Sequence, residues 1–339
     1  MRQKMDWNNS TGLYPIFVKQ SRRTRAKVGY INRFGDIVIS PEFDDGTRFS
    51  EGLASVLFNG RWGIINEGGD FVVEPRLPNW CHFHQGLATI CTPEGWGVIN
   101  RTGDFVISPK YDYIGPFRES LAVFRNGEDA EARFGFINSD GEEAIAPQFR
   151  NAGGFSEGLA PVLLGNLWGY ILSSGTFQIR PRFDALRETG GGTQKLKAGE
   201  FRSGLAAVWV KGGYGFVNTA GSLVIEGMFD AAGPFSEGLA LVKLDKKFGF
   251  MAPAGNIVIN LRYSFAHHFS NGLAAVAEQD NGPIGFINES GETAIKPAFR
   301  YAMRFRDGLC LVETQDSVGY INTAGDFVWR GPWVEYRAE

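Results

Sequence analysis

The sequence is poor in the residues that build most metal and redox sites. Its 339 residues include only three cysteines and four histidines. The cysteines, Cys81, Cys91 and Cys310, show no Cys-x-x-Cys spacing, and their odd number argues against a disulfide framework. Cys81, His82 and His84 are the one compact group of possible zinc ligands, and ordinary connecting residues are the favoured interpretation. We therefore predict no metal and no cofactor.

The sequence also lacks an excess of charge and long apolar runs. Lysine and arginine number 34 against 37 acidic residues, for a net charge of −3, which gives no electrostatic footprint for nucleic acid. No run approaches the roughly 18 apolar residues of a membrane-spanning helix, and the start of the chain shows no secretory signal. We expect a cytoplasmic, non-enzymatic protein without a membrane span or a nucleic-acid partner.

A motif of five residues recurs nine times along the chain. In its clearest form it reads WGIIN from Trp62, and five of the eight intervals between copies are 34 residues long. Self-similarity at a fixed period indicates a repeat architecture. The positions assigned to the structural motif are Trp62, Gly63, Trp96, Gly97, Phe134, Gly135, Trp168, Gly169, Tyr214, Gly215, Phe248 and Gly249.

A second motif precedes most copies of the first. It reads FSEGLASV from Phe49 and returns with variations in later repeats. The two motifs divide the chain into nine repeats, which we expect to start near residues 12, 52, 86, 120, 158, 204, 238, 272 and 308. They form a single predicted domain over residues 12–331, with tails at residues 1–11 and 332–339.

Each repeat is predicted to contain three strands. In the second repeat these are residues 53–58, 62–66 and 71–74, all rich in β-branched and aromatic side chains. Asn59 and Gly60 between the first two strands favour a tight hairpin, because both tolerate positive φ. The sequence therefore predicts an all-β fold of nine antiparallel meanders. An open, solenoid-like or superhelical array is favoured, and a ring like a β-propeller is the alternative.

The glycine of the five-residue motif requires a physical reason, because glycine weakens a strand unless something needs the space of the missing side chain. We expect an aromatic ring from an adjacent repeat, such as Phe49 or Phe83, to lie over Gly63 and its equivalents. This is a prediction about packing and not about chemistry.

Departures from the period are the places where function could reside, because insertions fall in loops. The largest insertion adds twelve residues between Leu186 and Phe201, with three consecutive glycines followed by Lys195 and Lys197. No Gly-Lys-Ser/Thr sequence follows the glycines, so we interpret it as a flexible surface loop rather than a phosphate cradle.

Carboxylates recur in the second motif as Glu51, Glu157 and Glu237. A catalytic acid and base are expected to occur once in a chain, whereas these groups are copied from repeat to repeat. We therefore expect them to be structural. A multivalent row of acidic or aromatic contacts is the alternative.

The two motifs together resemble the WG-repeat (KWG-repeat) family of bacterial proteins. The resemblance extends from about Gly12 to Arg330, although the copies at Val28, Ile284 and Val318 lack the tryptophan. It implies a β-rich repeat protein with a binding or scaffolding role. The leading hypothesis is thus a non-catalytic scaffold for protein partners, and the loop lysines Lys195 and Lys197 are candidate contacts. The alternative is glycan or cell-wall binding through exposed aromatic residues. Its candidates are Trp80, Trp209 and Trp333.

Overall fold

The structure, a computed structural model, describes residues 12–18, 26–127, 131–189, 192–195 and 197–332. These residues form strands, turns and connections and contain no α-helix. In this part of the chain there is accordingly no helix with the length and apolarity needed to cross a membrane.

The chain divides into two compact units. Unit 1 contains Met1–Phe83 and Phe269–Glu339, and unit 2 contains His84–His268. The predicted limits of a single domain, residues 12–331, stay a prediction.

Each repeat forms one small antiparallel sheet, and the sheets are numbered 1 to 9 along the chain. Sheet 1 contains β1 (Tyr14–Val18), β2 (Lys27–Ile31) and β3 (Ile37–Phe43). Sheet 2 contains β4 (Asp45–Gly46), β5 (Leu53–Phe58), β6 (Arg61–Asn66) and β7 (Phe71–Leu77). Sheet 3 contains β8 (Phe83–His84), β9 (Leu87–Thr92), β10 (Gly95–Ile99) and β11 (Phe105–Tyr111). Sheet 4 contains β12 (Tyr113–Ile114), β13 (Leu121–Asn126), β14 (Arg133–Asn138) and β15 (Glu143–Phe149).

The remaining sheets follow the same order. Sheet 5 contains β16 (Asn151–Ala152), β17 (Ala160–Leu164), β18 (Leu167–Ile171) and β19 (Phe177–Asp184). The hairpin of β20 (Leu186–Thr189) and β21 (Gly192–Lys195) precedes sheet 6, which contains β22 (Leu205–Val210), β23 (Gly213–Asn218) and β24 (Leu223–Phe229). Sheet 7 contains β25 (Ala231–Ser236), β26 (Leu239–Leu244), β27 (Lys247–Met251) and β28 (Ile257–Tyr263). Sheet 8 contains β29 (Phe265–Ala266), β30 (Ala274–Ala277), β31 (Ile284–Ile287) and β32 (Thr293–Phe299). Sheet 9 contains β33 (Tyr301–Ala302), β34 (Leu309–Glu313), β35 (Ser317–Asn322) and β36 (Phe327–Pro332).

The three predicted strands are present in every repeat, but seven of the nine sheets have a fourth. In sheet 2 the additional strand is β4, whose Asp45 and Gly46 lie opposite Leu57 and Val56 of β5. The prediction of three-stranded repeats is therefore wrong for these sheets. A pairing of two residues leaves no hydrophobic period in the sequence, since at least four residues are needed to show one.

The asparagine that ends the five-residue motif holds the turn between the second and third strands. The Oδ1 atom of Asn66 accepts hydrogen bonds from the backbone N–H groups of Gly68, at 2.9 Å, and Asp70, at 3.0 Å. Asn32, Asn100, Asn138, Asn288 and Asn322 make the same two bonds in their own turns. An Asx turn of this kind explains why asparagine closes the motif.

The motif glycine lies opposite a β-bulge in the third strand of its own sheet. The register between β6 and β7 shifts between Trp62 and Ile64. A Cβ atom on Gly63 would lie 2.9 Å from the carbonyl oxygen of Val73 and 2.8 Å from the ring of Phe71. The space is thus required by the neighbouring strand at its bulge. The prediction that a ring from an adjacent repeat covers this glycine is wrong.

The phenylalanine ring of the second motif instead packs against the residue that follows the motif glycine in the preceding repeat. Phe49 of the second repeat meets Tyr30 of the first with ring centroids 4.9 Å apart, and Phe201 meets Tyr170 at 4.8 Å. The same contact joins Phe155 to Phe136, Phe235 to Phe216 and Phe305 to Phe286. These edge-on or tilted pairs between consecutive sheets are the repeated junction of the fold.

Some junctions add a hydrogen bond from a buried tyrosine to the next repeat. The hydroxyl of Tyr30 donates to the carbonyl oxygen of Thr47, and that of Tyr170 donates to Gly199, both at 2.8 Å. A buried hydroxyl needs such a partner, because leaving it unpaired would cost roughly 1–3 kcal/mol. These two junctions therefore combine apolar contact with a specific hydrogen bond.

Sheets 1 and 9, both in unit 1, form a junction of the same kind. The rings of Tyr14 and Tyr320 lie 5.4 Å apart, and the Tyr320 hydroxyl donates to the carbonyl oxygen of Pro15 at 3.0 Å. Tyr14, Ile16, Ile31, Leu309, Leu311, Val318 and Tyr320 share one buried cluster. The first and last repeats of an open array would not touch. The favoured open array is therefore not supported, and the nine sheets are the blades of a β-propeller, which was the alternative prediction.

Candidate functional site

The five predicted binding residues differ in their surroundings. Trp80 is 37% exposed, and its indole lies against the imidazole of His82 with ring centroids 5.3 Å apart. Lys197 is exposed. Trp333 and the side chain of Lys195 lie outside the described part of the chain. Trp80 belongs to unit 1 and Lys197 to unit 2.

Trp209 is not an exposed aromatic residue. It is only 6% exposed and lies opposite Tyr214 in the register of β22 and β23. The two rings meet edge to face at 5.2 Å, a cross-strand pair that stabilises a sheet. The prediction that Trp209 offers a stacking surface to a sugar is therefore wrong.

The insertion before Phe201 forms a hairpin instead of an irregular loop. Its strands, β20 and β21, pair from Leu186 opposite Lys195 to Thr189 opposite Gly192. The described part of the insertion is therefore a β-hairpin, and its flexibility stays a prediction. The hairpin belongs to unit 2 and precedes sheet 6.

The carboxylate of Glu157 is engaged in holding the next repeat. It accepts hydrogen bonds from the backbone N–H groups of Ser203, at 2.7 Å, and Gly204, at 2.8 Å. The preceding Ser156 donates its hydroxyl to the carbonyl oxygen of Phe201 at 2.7 Å. The interpretation of this copied carboxylate as structural is confirmed, because its oxygens satisfy turn amides that no strand pairs.

The group Cys81, His82 and His84 does not converge on one point. Cys81 is buried, with its Sγ atom 3.6 Å from the hydroxyl of Ser55, and burial raises the pKa of its thiol. His82 faces Trp80 instead. Across the described residues, no three His, Cys, Asp or Glu side chains are placed to hold a metal ion.

Cys310 is a second buried thiol. It donates to the carbonyl oxygen of Met303 at 3.0 Å, and burial raises its pKa to about 12. A thiol with this pKa remains protonated near neutral pH and is a poor nucleophile. Cys310 has the position of Ala54 and Ala240 in other repeats and is fully buried, as they are.

A shallow cavity of about 360 Å³ lies in unit 2 beside Arg182 and Ser222. The guanidinium group of Arg182 stacks on the ring of Phe183 at 5.1 Å and donates to the carbonyl oxygen of Gly221. Its charge is thus engaged with the protein, which leaves the cavity without a free cation at that point.

Five exposed valines that were not predicted from the sequence share one position of the repeat. They occupy the second position of the third strand, which ends the strand order of its sheet. Val38, Val72, Val106, Val224 and Val258 are 40–49% exposed. Gln178 has the same position in β19, and Ala144 and Ala294 have it in β15 and β32. These five valines are called the edge valines below.

The five-residue motif and the junctions it builds account for a match to a known family. The family model described as WG containing repeat matches residues 29–62, 96–128, 134–168, 214–248, 248–281 and 284–316, which is more than half of the chain. The chain belongs to the WG-repeat family. No curated protein matches it in sequence.

Several solved structures are similar to the nine WG repeats in fold. Apo AztD from Citrobacter koseri is 11% identical, with a TM-score of 0.43 and 95% of each chain covered. The dihydro-heme d1 dehydrogenase NirN in complex with DHE is 8% identical, with a TM-score of 0.45 over 80% of this chain and 70% of that one. Virginiamycin B lyase from Staphylococcus aureus is 12% identical, with a TM-score of 0.39 over 72% and 91%. Likenesses of this size carry no inference about activity.

The edge valines could have been found in the sequence of the WG repeats. The third strand alternates, so that Ile107 is buried while Val106 and Ser108 are exposed. An apolar residue at an exposed position is unremarkable once, but its recurrence at one register position is a pattern. Because the valines lie neither in an insertion nor at a position unique to one repeat, those two signals do not reveal them.

Proposed function

We propose that this WG-repeat protein is a non-catalytic scaffold that binds a protein partner along the third strands of its sheets. The observation that carries the proposal is the row of edge valines on strands whose outer side pairs with no other strand of their sheet. An exposed sheet edge offers backbone N–H and C=O groups to an extended segment of another protein. The cytoplasmic location is part of the same proposal.

Two further observations support a binding role over a catalytic one. Groups that could carry chemistry are engaged in structure, as Glu157 is with the amides of Ser203 and Gly204. The thiols of Cys81 and Cys310 are buried, and their pKa values are raised. The valines, in contrast, contribute apolar area to the surface of several sheets, which favours association with a partner.

The glycan alternative has less support. It was based on three tryptophans, and the burial of Trp209 against Tyr214 removes one of them. Trp80 keeps an exposed face. Retention of the protein on peptidoglycan or polysaccharide, abolished by Trp80→Ala, would revive this alternative.

The test places a charge on the edge valines of two consecutive sheets in unit 2. The double variant Val224→Lys/Val258→Lys and the wild type are each immobilised and exposed to an extract of the cells that produce the protein. Bound proteins are compared by quantitative mass spectrometry. The proposal expects a defined partner to be lost by the variant, because a lysine opposes burial of the edge.

The matched control is the double variant Ala144→Lys/Gln178→Lys, which adds the same two charges at the equivalent positions of two consecutive strands that lack the valine. It is expected to retain the partner. Circular dichroism and thermal unfolding show whether all three proteins are folded alike. Equal retention by the wild type and the double variant, or equal loss by the control, would overturn the proposal.

A further inference from the structure

Unit 1 concentrates arginine around the phenylalanine of the second motif. Arg48 and Arg304 each precede this phenylalanine, in repeats 2 and 9, and Arg306 follows it in repeat 9. His82 precedes it in repeat 3. We call Arg48, Arg304, Arg306 and His82 the basic cluster.

One hydrogen bond ties two parts of this cluster together. The Nη2 atom of Arg48 donates to the Sδ atom of Met303, the residue before Arg304, at 2.8 Å. A thioether is a weak acceptor and cannot neutralise a guanidinium group. Within the described residues, no carboxylate lies within ion-pair distance of Arg48, Arg304 or Arg306. Asp307 is the acidic residue whose charge acts on the cluster.

The members of the cluster act on one another electrostatically. Burial and the charges of Arg48 and Arg304 lower the pKa of Arg306, and Asp307 opposes this shift only in part. Burial and the charges of Arg306 and Arg48 also lower the pKa of His82. The cluster therefore places several like charges near one another at the surface of unit 1, which an anion would stabilise.

In unit 2, an arginine at the same motif position forms an ion pair. Arg118 follows Phe117 as Arg306 follows Phe305, and its Nη1 atom lies 3.3 Å from the Oε2 atom of Glu200. Glu200 is itself the residue before the motif phenylalanine of repeat 6. The arginine that follows the motif phenylalanine is thus paired with a carboxylate in unit 2. In unit 1 the equivalent Arg306 lies under the influence of other arginines.

We propose that the basic cluster of unit 1 binds a doubly charged oxyanion of the phosphate class. Guanidinium groups donate pairs of parallel hydrogen bonds that fit phosphate oxygens. Three arginine charges complement two negative charges, and the Nε2 or Nδ1 atom of His82 adds a further polar group. Trp80 stands against His82 and borders the site.

Isothermal titration calorimetry at low ionic strength tests the proposal, with inorganic phosphate as the first probe and phosphoserine as the second. The wild type is expected to bind both saturably with one site per chain. Arg306→Gln and Arg48→Gln should each weaken binding by roughly tenfold or more, since each removes charge-assisted hydrogen bonds. Tighter binding of phosphoserine would indicate a phosphate carried on a larger molecule, and equal binding would indicate the free ion.

The matched control is Arg202→Gln, because Arg202 follows the motif phenylalanine in unit 2 just as Arg306 does in unit 1. It is expected to bind phosphate like the wild type. No saturable binding by the folded wild type, or an equal loss in the control, would overturn the proposal. Arg304→Gln, at an exposed residue, serves if another variant fails to fold. The edge-valine variants should keep phosphate binding, so this proposal and the proposed function can fail separately.

Discussion

Unit 1 and unit 2 both contain the aromatic junction, and they differ in the charged groups beside it. In unit 2, Phe201 packs on Tyr170 at 4.8 Å, and Arg118 is paired with Glu200. In unit 1, the junction of sheets 1 and 9 uses Tyr14 on Tyr320, and Arg306 meets the charges of Arg48 and Arg304. The aromatic contact therefore occurs in both units, whereas the polar groups around it vary.

This comparison shows that the fold depends on the aromatic contact, whereas the charged groups beside it can vary. An aromatic pair fills the space between two sheets, and its loss would leave a cavity that the protein cannot collapse. A charged pair at a half-exposed position contributes little to stability, so an arginine there can change its partner without unfolding the protein. Variation at such a position can serve binding.

The largest expected effect concerns the aromatic junction in unit 2. Phe201→Ala removes a fully buried ring and should lower the free energy of unfolding by about 3–5 kcal/mol. Urea denaturation followed by tryptophan fluorescence measures the change. Phe34→Ala is the control, because Phe34 is 68% exposed in a turn and its loss should cost less than about 1 kcal/mol. Similar costs for both would show that the junction ring does not determine stability.

A second prediction asks whether Tyr14 replaces the motif phenylalanine where sheets 1 and 9 meet. Tyr14→Ala should cost about 3 kcal/mol or more, as removal of a buried ring does. Tyr14→Phe keeps the ring and loses only the hydroxyl, which donates to the carbonyl oxygen of Asp307 at 2.7 Å, so the cost should be about 1 kcal/mol. Thermal unfolding of the two variants distinguishes these outcomes. Equal, small costs would mean that this junction is not equivalent to those of unit 2.

A third prediction concerns how the stability of the protein depends on pH through the buried thiols of unit 1. Burial raises the pKa of Cys310 to about 12, whereas an unfolded thiol ionises near 8.5. Above pH 8.5 the unfolded chain therefore releases a proton that the folded chain keeps, and stability falls with rising pH. At pH 9.5 the loss from Cys310 should be on the order of 1 kcal/mol.

The check is a comparison of unfolding free energies between pH 8 and pH 9.5. Cys310→Ala should make the decline shallower, and it should fold because alanine has this position in other repeats, as Ala54 and Ala240 do. Burial also raises the pKa of Cys81, which leaves part of the decline in the variant. An unchanged slope in Cys310→Ala would contradict the prediction.

The smallest expected effects have opposite signs in the two units. Arg118→Gln breaks a half-exposed ion pair and should cost up to about 1 kcal/mol. Arg306→Gln relieves repulsion from Arg48 and Arg304 and should leave stability unchanged or slightly higher at low salt. Both differences should shrink as salt screens the charges. A destabilised Arg306→Gln variant would show that this arginine has a structural partner.

The strands and turns of the repeat could be predicted because one local pattern occurs nine times. WGIIN from Trp62 gives a strand, a turn held by Asn66 and the start of a bulged partner strand. The function of Gly63 could not be read from the sequence, since its reason is the backbone of Val73 across the sheet. The short β4 left no pattern at all, because two residues carry no period.

Ring closure could not be predicted from the local sequence pattern either. It depends on the small rotation between consecutive sheets, which no single repeat encodes, and it is revealed by the contact of Tyr14 with Tyr320. The candidate site could not be predicted from the sequence for a related reason. The burial of Trp209 depends on Tyr214 opposite it, and the basic cluster brings together residues from repeats 2, 3 and 9.

The contact between Tyr320 and Pro15 has a consequence for synthesis of the protein. The two residues are 305 positions apart, so the hydrogen bond that joins them cannot form until almost all of the described chain has left the ribosome. Until then the nascent chain presents the apolar face of β1, including Ile16, without its native cover. Such a face is open to a chaperone or to a second nascent chain, and this last junction is the step at which misassembly would arise.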